Sequence, residues 1–222
     1  MSEVVITVRG EHEARIVPER AVVHLSIVTE GPERGAVVER VAALTEPVRD
    51  DLISRRDAGA VTEWSSGRAS VWSERPWNPE GRRLAPVHHA SVELTATFTD
   101  FATLSWWAGE VAEREGVQLG WIDWQLTAET RTRVEREVAT EAVQVAVQRA
   151  TAYAAALGLG SVTALEVADA GLLTHDRDPG RPETMTAARA FAADGAGGGP
   201  ALQFQPEEIT VASAVEARFA AR

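Results

Sequence analysis

The sequence predicts an α+β fold: antiparallel sheets from the order β-β-α-β-β-α-β-α-β-β, covered by one long C-terminal helix and two shorter helices. Three observations carry this expectation. Several stretches alternate apolar and polar residues with the period of a half-buried strand, Arg20–Glu30 and Ala90–Thr99 most cleanly. Three others carry apolar residues at helical spacing. Three of the four strand groups that alternate with the helices are pairs rather than single strands, which argues against a doubly wound sheet. Neighbouring strands joined by short links are expected to pair antiparallel.

In chain order, Val4–Arg9 alternates Val4, Ile6 and Val8 with Val5, Thr7 and Arg9. Gly10 is expected to end this strand, and Glu11–Glu19 to form a polar link through Pro18. Arg20–Glu30 places Ala21, Val23, Leu25 and Ile27 on one face and Arg20, His24, Ser26 and Glu30 on the other. Gly31-Pro32 opens a helix, since proline is tolerated in a first turn. Val37, Val41, Leu44, Val48 and Leu52 keep its period to about Arg56. Pro47 lies inside it. An interior proline loses a hydrogen bond and clashes one turn back, at about 3 kcal/mol, so a kink or break is expected near Leu44–Glu46. Val61–Glu74 reads as a long strand and Arg75–Pro86 as a loop, by its prolines and Asn-Pro step. In Ala90–Thr99, Val92, Leu94, Ala96 and Phe98 face inward. Thr99 or Asp100 caps a helix carrying Phe101, Leu104, Trp107, Ala108 and Val111, ended by Gly116. Val117–Thr127 follows as a strand with Ile122, Trp124 and Leu126 on one face. Arg20–Glu74 and Ala90–Thr127 thus each read strand–helix–strand, which hints at a duplicated unit although residue identity between the two is low.

Ala128–Gly160 is the longest run of helix formers, free of proline and of glycine until Gly158. Ala139, Ala142, Val143, Ala146, Ala150, Ala154 and Leu157 fall on one stripe, widened by Val134, Val138 and Val145. A stripe of alanines lets the helix lie unusually close to whatever it covers. Gly158 suits the left-handed position that closes a helix. Ser161–Ala168 turns β-like. Residues 169–205 are polar and turn-rich, with Gly195–Pro200 reading GAGGGP, and 171–205 is expected to be a long flexible loop. Ile209–Phe219 alternates as a closing strand. The chain suits one domain over 1–222, or two lobes with the central one at about 61–127.

Composition excludes several kinds of chemistry. The net charge of −11 argues against binding nucleic acid or anionic membrane non-specifically. All 22 basic residues are arginine. Without lysine there is no Schiff-base residue and no phosphate-loop lysine. Without cysteine there is no disulfide, thiol nucleophile or thiolate metal site. No apolar run approaches the roughly 20 residues of a membrane span, and MSEVVITVRG has no signal-peptide pattern, so a cytoplasmic location is expected.

Scattered motifs resemble the SIMPL-domain family, a bacterial domain of unknown function. Val8-Arg9-Gly10-Glu11 followed by Pro18-Glu19-Arg20-Ala21 is similar to the family's glycine-ended first strand and its Pro-Asp-x-Ala start to the second. Val28-Thr29-Glu30-Gly31 is similar to the end of that second strand. Ala142, Ala146, Arg149-Ala150, Tyr153-Ala154 and Leu157-Gly158-Leu159-Gly160 resemble its alanine-rich helix and Leu-Gly exit. Val162–Glu166, and Pro206-Glu207-Glu208-Ile209 with Val211 and Val215, resemble its last strands. His12 stands where a second glycine is common, and His88-His89 where an aromatic is often found. The resemblance implies an α+β fold and a tendency to self-associate, and brings no catalytic site.

The residues themselves yield no catalytic, cofactor or metal assignment. His88 and His89 are adjacent on a strand and point to opposite faces, so they chelate poorly together. His24 lies on a polar strand face and is expected to be solvated. His175, Asp176 and Asp178 could offer ligands to a divalent cation, but read more simply as a solvated loop. Ser65-Ser66-Gly67 and Ser161 lack a nucleophile-elbow setting. Seven tryptophans against one tyrosine are unusual. Trp107 and Trp124 fit core faces. Trp72 and Trp77 flank the proline-rich loop and are the candidate interface residues, because exposed tryptophan marks interfaces. The expected role is therefore that of a non-enzymatic protein that forms a homo-oligomer or binds a protein partner. The alternative is a small-molecule-binding protein or hydrolase with a pocket under the 169–205 loop.

Overall fold

The computed structural model describes residues 3–77, 79, 83–173 and 202–222. Its elements follow the expected order: β1 (Val4–Ile16), β2 (Arg20–Gly31), α1 (Arg34–Asp57), β3 (Val61–Glu74), β4 (Val87–Phe98), α2 (Phe101–Ala112), β5 (Val117–Gln125), α3 (Ala128–Ala156), β6 (Val162–Asp169) and β7 (Ile209–Ala221). They form two antiparallel sheets, β1-β7-β6 and β3-β4-β2-β5. The described residues fall into two compact units, one of 3–17, 126–173 and 208–222, the other of 18–77, 79, 83–125 and 202–207.

In the first unit β1 pairs with β7 over its whole length, from Val4↔Ala221 to Ile16↔Ile209. Gly10 therefore does not end β1. A Cβ there would stand 2.7 Å from the Ala146 nitrogen, 2.9 Å from the Ala146 Cβ, and closer still to the Ala142 carbonyl oxygen. Glycine is required because α3 crosses the strand in direct backbone contact. Ile6, Val8, Val215, Ala217 and Phe219 pack there against Ala142, Ala146, Ala150 and Ala154. Leu126, Val134, Val138 and Val211 close a second cluster.

The buried residues of α3 are Val134, Val138, Ala142, Ala146, Ala150 and Ala154, one every fourth position. Such a row drifts by about 40° per step on a 3.6-residue helix, so it slants across the helix surface. A stripe drawn straight along the axis mistakes its ends: Leu157 is 62% exposed, and Val134 and Val138 are central to the contact. Thr127 caps the helix by accepting from the Thr130 amide, and Gly158 takes φ +72 at its end.

The second unit reads β2-α1-β3-β4-α2-β5 with sheet order β3-β4-β2-β5, the split β-α-β arrangement. Its two strand–helix–strand halves are those expected from the sequence. Ala21, Val23, Leu25, Ile27, Leu94, Ala96 and Phe98 form its core with Val37, Val41, Val48, Leu52, Leu104, Trp107 and Val111. β1 and β2 do not pair with each other despite their short link. β1 is matched residue for residue by β7, while β2 lies between β4 and β5. β4 begins at Val87, earlier than expected, because His88 and His89 pair with Ser73 and Trp72.

α1 runs unbroken through Pro47. The proline and Ala43, whose carbonyl loses its helical donor, are both exposed, so water can take up the freed acceptor. Asp100 caps α2, accepting from the Ala102 amide at 2.9 Å and the Thr103 hydroxyl at 2.7 Å. The indole N–H of fully buried Trp107 donates to Asp51 Oδ2 at 2.9 Å, and Arg55 and Arg114 flank that carboxylate.

Candidate interface site

β3 is an edge strand, paired on one side only, with irregularities between Val61 and Glu63 and between Ser66 and Ala69. Alternation sorts the side chains of this sheet. Val61, Ala90, Leu94, Ala96 and Phe98 point to the helix-covered core, which leaves Trp72, His89, Glu93 and Thr95 on the open face. Trp72 sits opposite His89 in the register, and the two rings stack with centroids 5.1 Å apart and 11° between planes. Glu30, on the other neighbouring strand, also pairs with His89. The imidazole is bracketed by carboxylates, Glu30 Oε2 at 3.8 Å from Nδ1 and Glu74 Oε1 at 3.4 Å from Nε2. The two histidines are separated as expected: His88 Nδ1 instead meets the Ser73 hydroxyl at 2.6 Å.

The two candidate interface residues differ in setting. Trp72 is 42% exposed and held by its stack on His89. Trp77 is 84% exposed, in the loop after β3, where Arg75 donates to the Leu84 carbonyl oxygen.

A second aromatic pair stands on the same open face and was not legible in the sequence. His24 stacks on Trp121, centroids 4.3 Å and 13° between planes, and its Nε2 lies 2.9 Å from Asp123 Oδ2. His24 is therefore a partnered ring rather than a solvated one, while Trp121 remains 58% exposed. Alternation in β5 shows Ile122 and Trp124 in phase with the core. That Trp121 meets a histidine follows from strand register alone.

On the helix side, α1 and strands β3 and β4 border an open groove of about 540 Å³, walled by Val38, Val41, Ala42, Trp64, Val71 and Val92. The Trp64 indole nitrogen is buried without a hydrogen-bond partner among the described residues. Thr45, Glu46, Arg49, Ser66, Ser70 and Ser91 also line the groove, which therefore mixes apolar and polar side chains. Among the described residues no group of three or more histidines and carboxylates is placed to hold a metal ion. His175, Asp176 and Asp178 lie outside the described residues, as does most of the 169–205 loop. Among the described residues no helix is long and apolar enough to cross a membrane.

A comparison with curated proteins gives no match. Residues 6–219 match the family SIMPL, a protein of unknown function (DUF541), so the match spans both sheets and all three helices. The chain belongs to the SIMPL family.

Proposed function

We propose that this SIMPL protein is non-enzymatic and works by association, with itself or with a protein partner, through the end of the β3–β4 hairpin. The observation that carries this reading is the pairing of two exposed indoles, Trp72 and Trp77, with an unpaired strand edge. A flat indole is costly to leave in water, and an open edge offers unpaired backbone groups. The −11 charge opposes contact between copies at low salt. At about 0.15 M salt the Debye length is about 8 Å, and distant repulsion is screened. A stable contact should bury on the order of 1,000 Å² with the tryptophans near its centre.

The test is light scattering on a sizing column at micromolar protein in about 0.15 M salt. A mass above the 23.9 kDa of one chain is expected, and Trp77→Ala should lower it. A single-chain mass at these concentrations refutes self-association.

A further inference from the structure

We infer that the open face of the β3-β4-β2-β5 sheet is a docking surface for a positively charged partner segment, one bearing arginine or lysine side chains. This rests on the association reading above and narrows the partner's chemistry. The face is defined by register: it is the side opposite the helix-covered core, and carries Glu30, Glu63, Glu74, Glu93 and Asp123. Glu63 and Glu93 have no basic partner among the described residues. Arg20, at one end of the face, and Arg68, in the irregular stretch of β3, are the basic side chains set against these five carboxylates. Such a face repels phosphate and attracts cations.

Charge alone would make this a solvated acidic surface. The stacked rings distinguish it. Trp72 and Trp121 each have one side of the indole occupied by an imidazole, yet remain 42% and 58% exposed. Stacking fixes each ring, so it can receive a guanidinium or ammonium group without first being ordered. Each also has a carboxylate beside its histidine: Asp123 at His24, and Glu30 and Glu74 at His89. An exposed indole and the carboxylate charge around its histidine thus both favour a cation at each pair.

The two seats lie at different levels of the sheet. His24 and Glu30 are six positions apart on β2, and β5 and β3 are its opposite edges. By strand rise and spacing the indoles are about 25 Å apart, the reach of roughly seven or eight extended residues. The occupant is therefore an extended segment with two cations at about that separation.

The probe is a synthetic glycine–serine peptide of roughly eight residues with an arginine at each end, titrated by calorimetry into the full chain at low salt. Controls carry glutamate or glutamine in place of the arginines. The arginine peptide should bind while the controls do not, and Trp72→Ala and Trp121→Ala should each weaken it about threefold and together about tenfold. Both positions are exposed, and an unchanged melting temperature shows that the variants fold; Trp→Phe at each site should retain most of the binding. Failure of the arginine peptide to bind better than the controls overturns the inference. So does binding that the double variant leaves unchanged, which would be diffuse attraction to an acidic protein. Light scattering keeps the two readings apart. A single-chain mass with tryptophan-dependent peptide binding removes self-association and leaves this inference standing; an oligomer that ignores the peptide does the reverse.

Discussion

Gly10→Ala tests the packing of the β1-β7-β6 unit most directly. The added methyl would stand 2.7 Å and 2.9 Å from Ala146 atoms and still closer to the Ala142 carbonyl. Ordinary contact needs about 3.5–4 Å, so α3 must lift by something like 1 Å, because helix backbone cannot turn aside as a long side chain can. Lifting a helix by that amount forfeits a quarter to a half of the dispersion energy of neighbouring contacts, here those of Ala142, Ala146 and Ala150 with Ile6, Val8 and Phe219. Overpacking of this kind typically costs about 1–3 kcal/mol, and backbone on both sides puts Gly10 at the upper end. The lower entropy of unfolded alanine returns about 0.4–1 kcal/mol, leaving a net loss of about 2 kcal/mol. Gly67→Ala is the control, since a Cβ there meets nothing within 4 Å. With a urea slope of about 2 kcal/mol per molar, Gly10→Ala should unfold about 1 M earlier, and Gly67→Ala within about 0.5 M of the parent. Circular dichroism is the appropriate signal, because all seven tryptophans lie within residues 18–125 and α3 contains none. Equal midpoints for the two variants would refute the close approach of strand and helix.

Three further outcomes follow from the same geometry. Ala146→Leu should cost about 1–3 kcal/mol in urea melts, and Gln144→Leu, on the exposed side of α3, should stay within about 0.5 kcal/mol of neutral. Asp51→Ala leaves the buried Trp107 N–H unpaired and should cost about 1–3 kcal/mol, while Asp51→Asn, which keeps an acceptor oxygen, should cost less, as melting temperatures will show. The Asp100 carboxyl is held below its usual range, first by the Thr103 hydroxyl and then by the Ala102 amide. A group depressed on folding contributes stability above its unfolded pKa and loses it as pH falls through the folded value. Asp100→Ala should therefore destabilise α2 at neutral pH by about 1 kcal/mol, and parent and variant should converge below the ordinary carboxylate range.

Much of the fold was legible because element type depends on local periodicity. Arg20–Glu30 and Ala90–Thr99 announce half-buried strands, and β3 spans the expected Val61–Glu74. What escaped depends on contacts distant in sequence. Gly10 reads locally as a strand end, and only the passage of α3 shows it to be mid-strand. Pro47 reads as a break, but its exposed position lets water replace the lost helical bond. The two tryptophan–histidine stacks need the register of β3 with β4 and of β2 with β5, including irregularities that shift the pairing. No composition or spacing rule supplies that. Trp72 and Trp77 stand out by their setting beside a loop, whereas Trp121 sits within a strand and carries no such signal.

The two units use side-chain size in opposite ways. In the β1-β7-β6 unit, alanines and one glycine bring helix and sheet together so closely that little can be added or removed at the contact. Such a surface transmits strain and tolerates few substitutions, which suits a scaffold. In the β3-β4-β2-β5 unit the large aromatics are divided between core and surface. Trp107 is buried and hydrogen-bonded, while Trp72, Trp77, Trp106 and Trp121 are exposed. Exposed tryptophan is a small stability liability wherever it occurs, and the proposed association rests on four in one unit, two of them held flat against histidines on a face rich in carboxylates. Substitutions on that face should therefore change association before they change melting temperature, and substitutions along the alanine row of α3 should do the reverse.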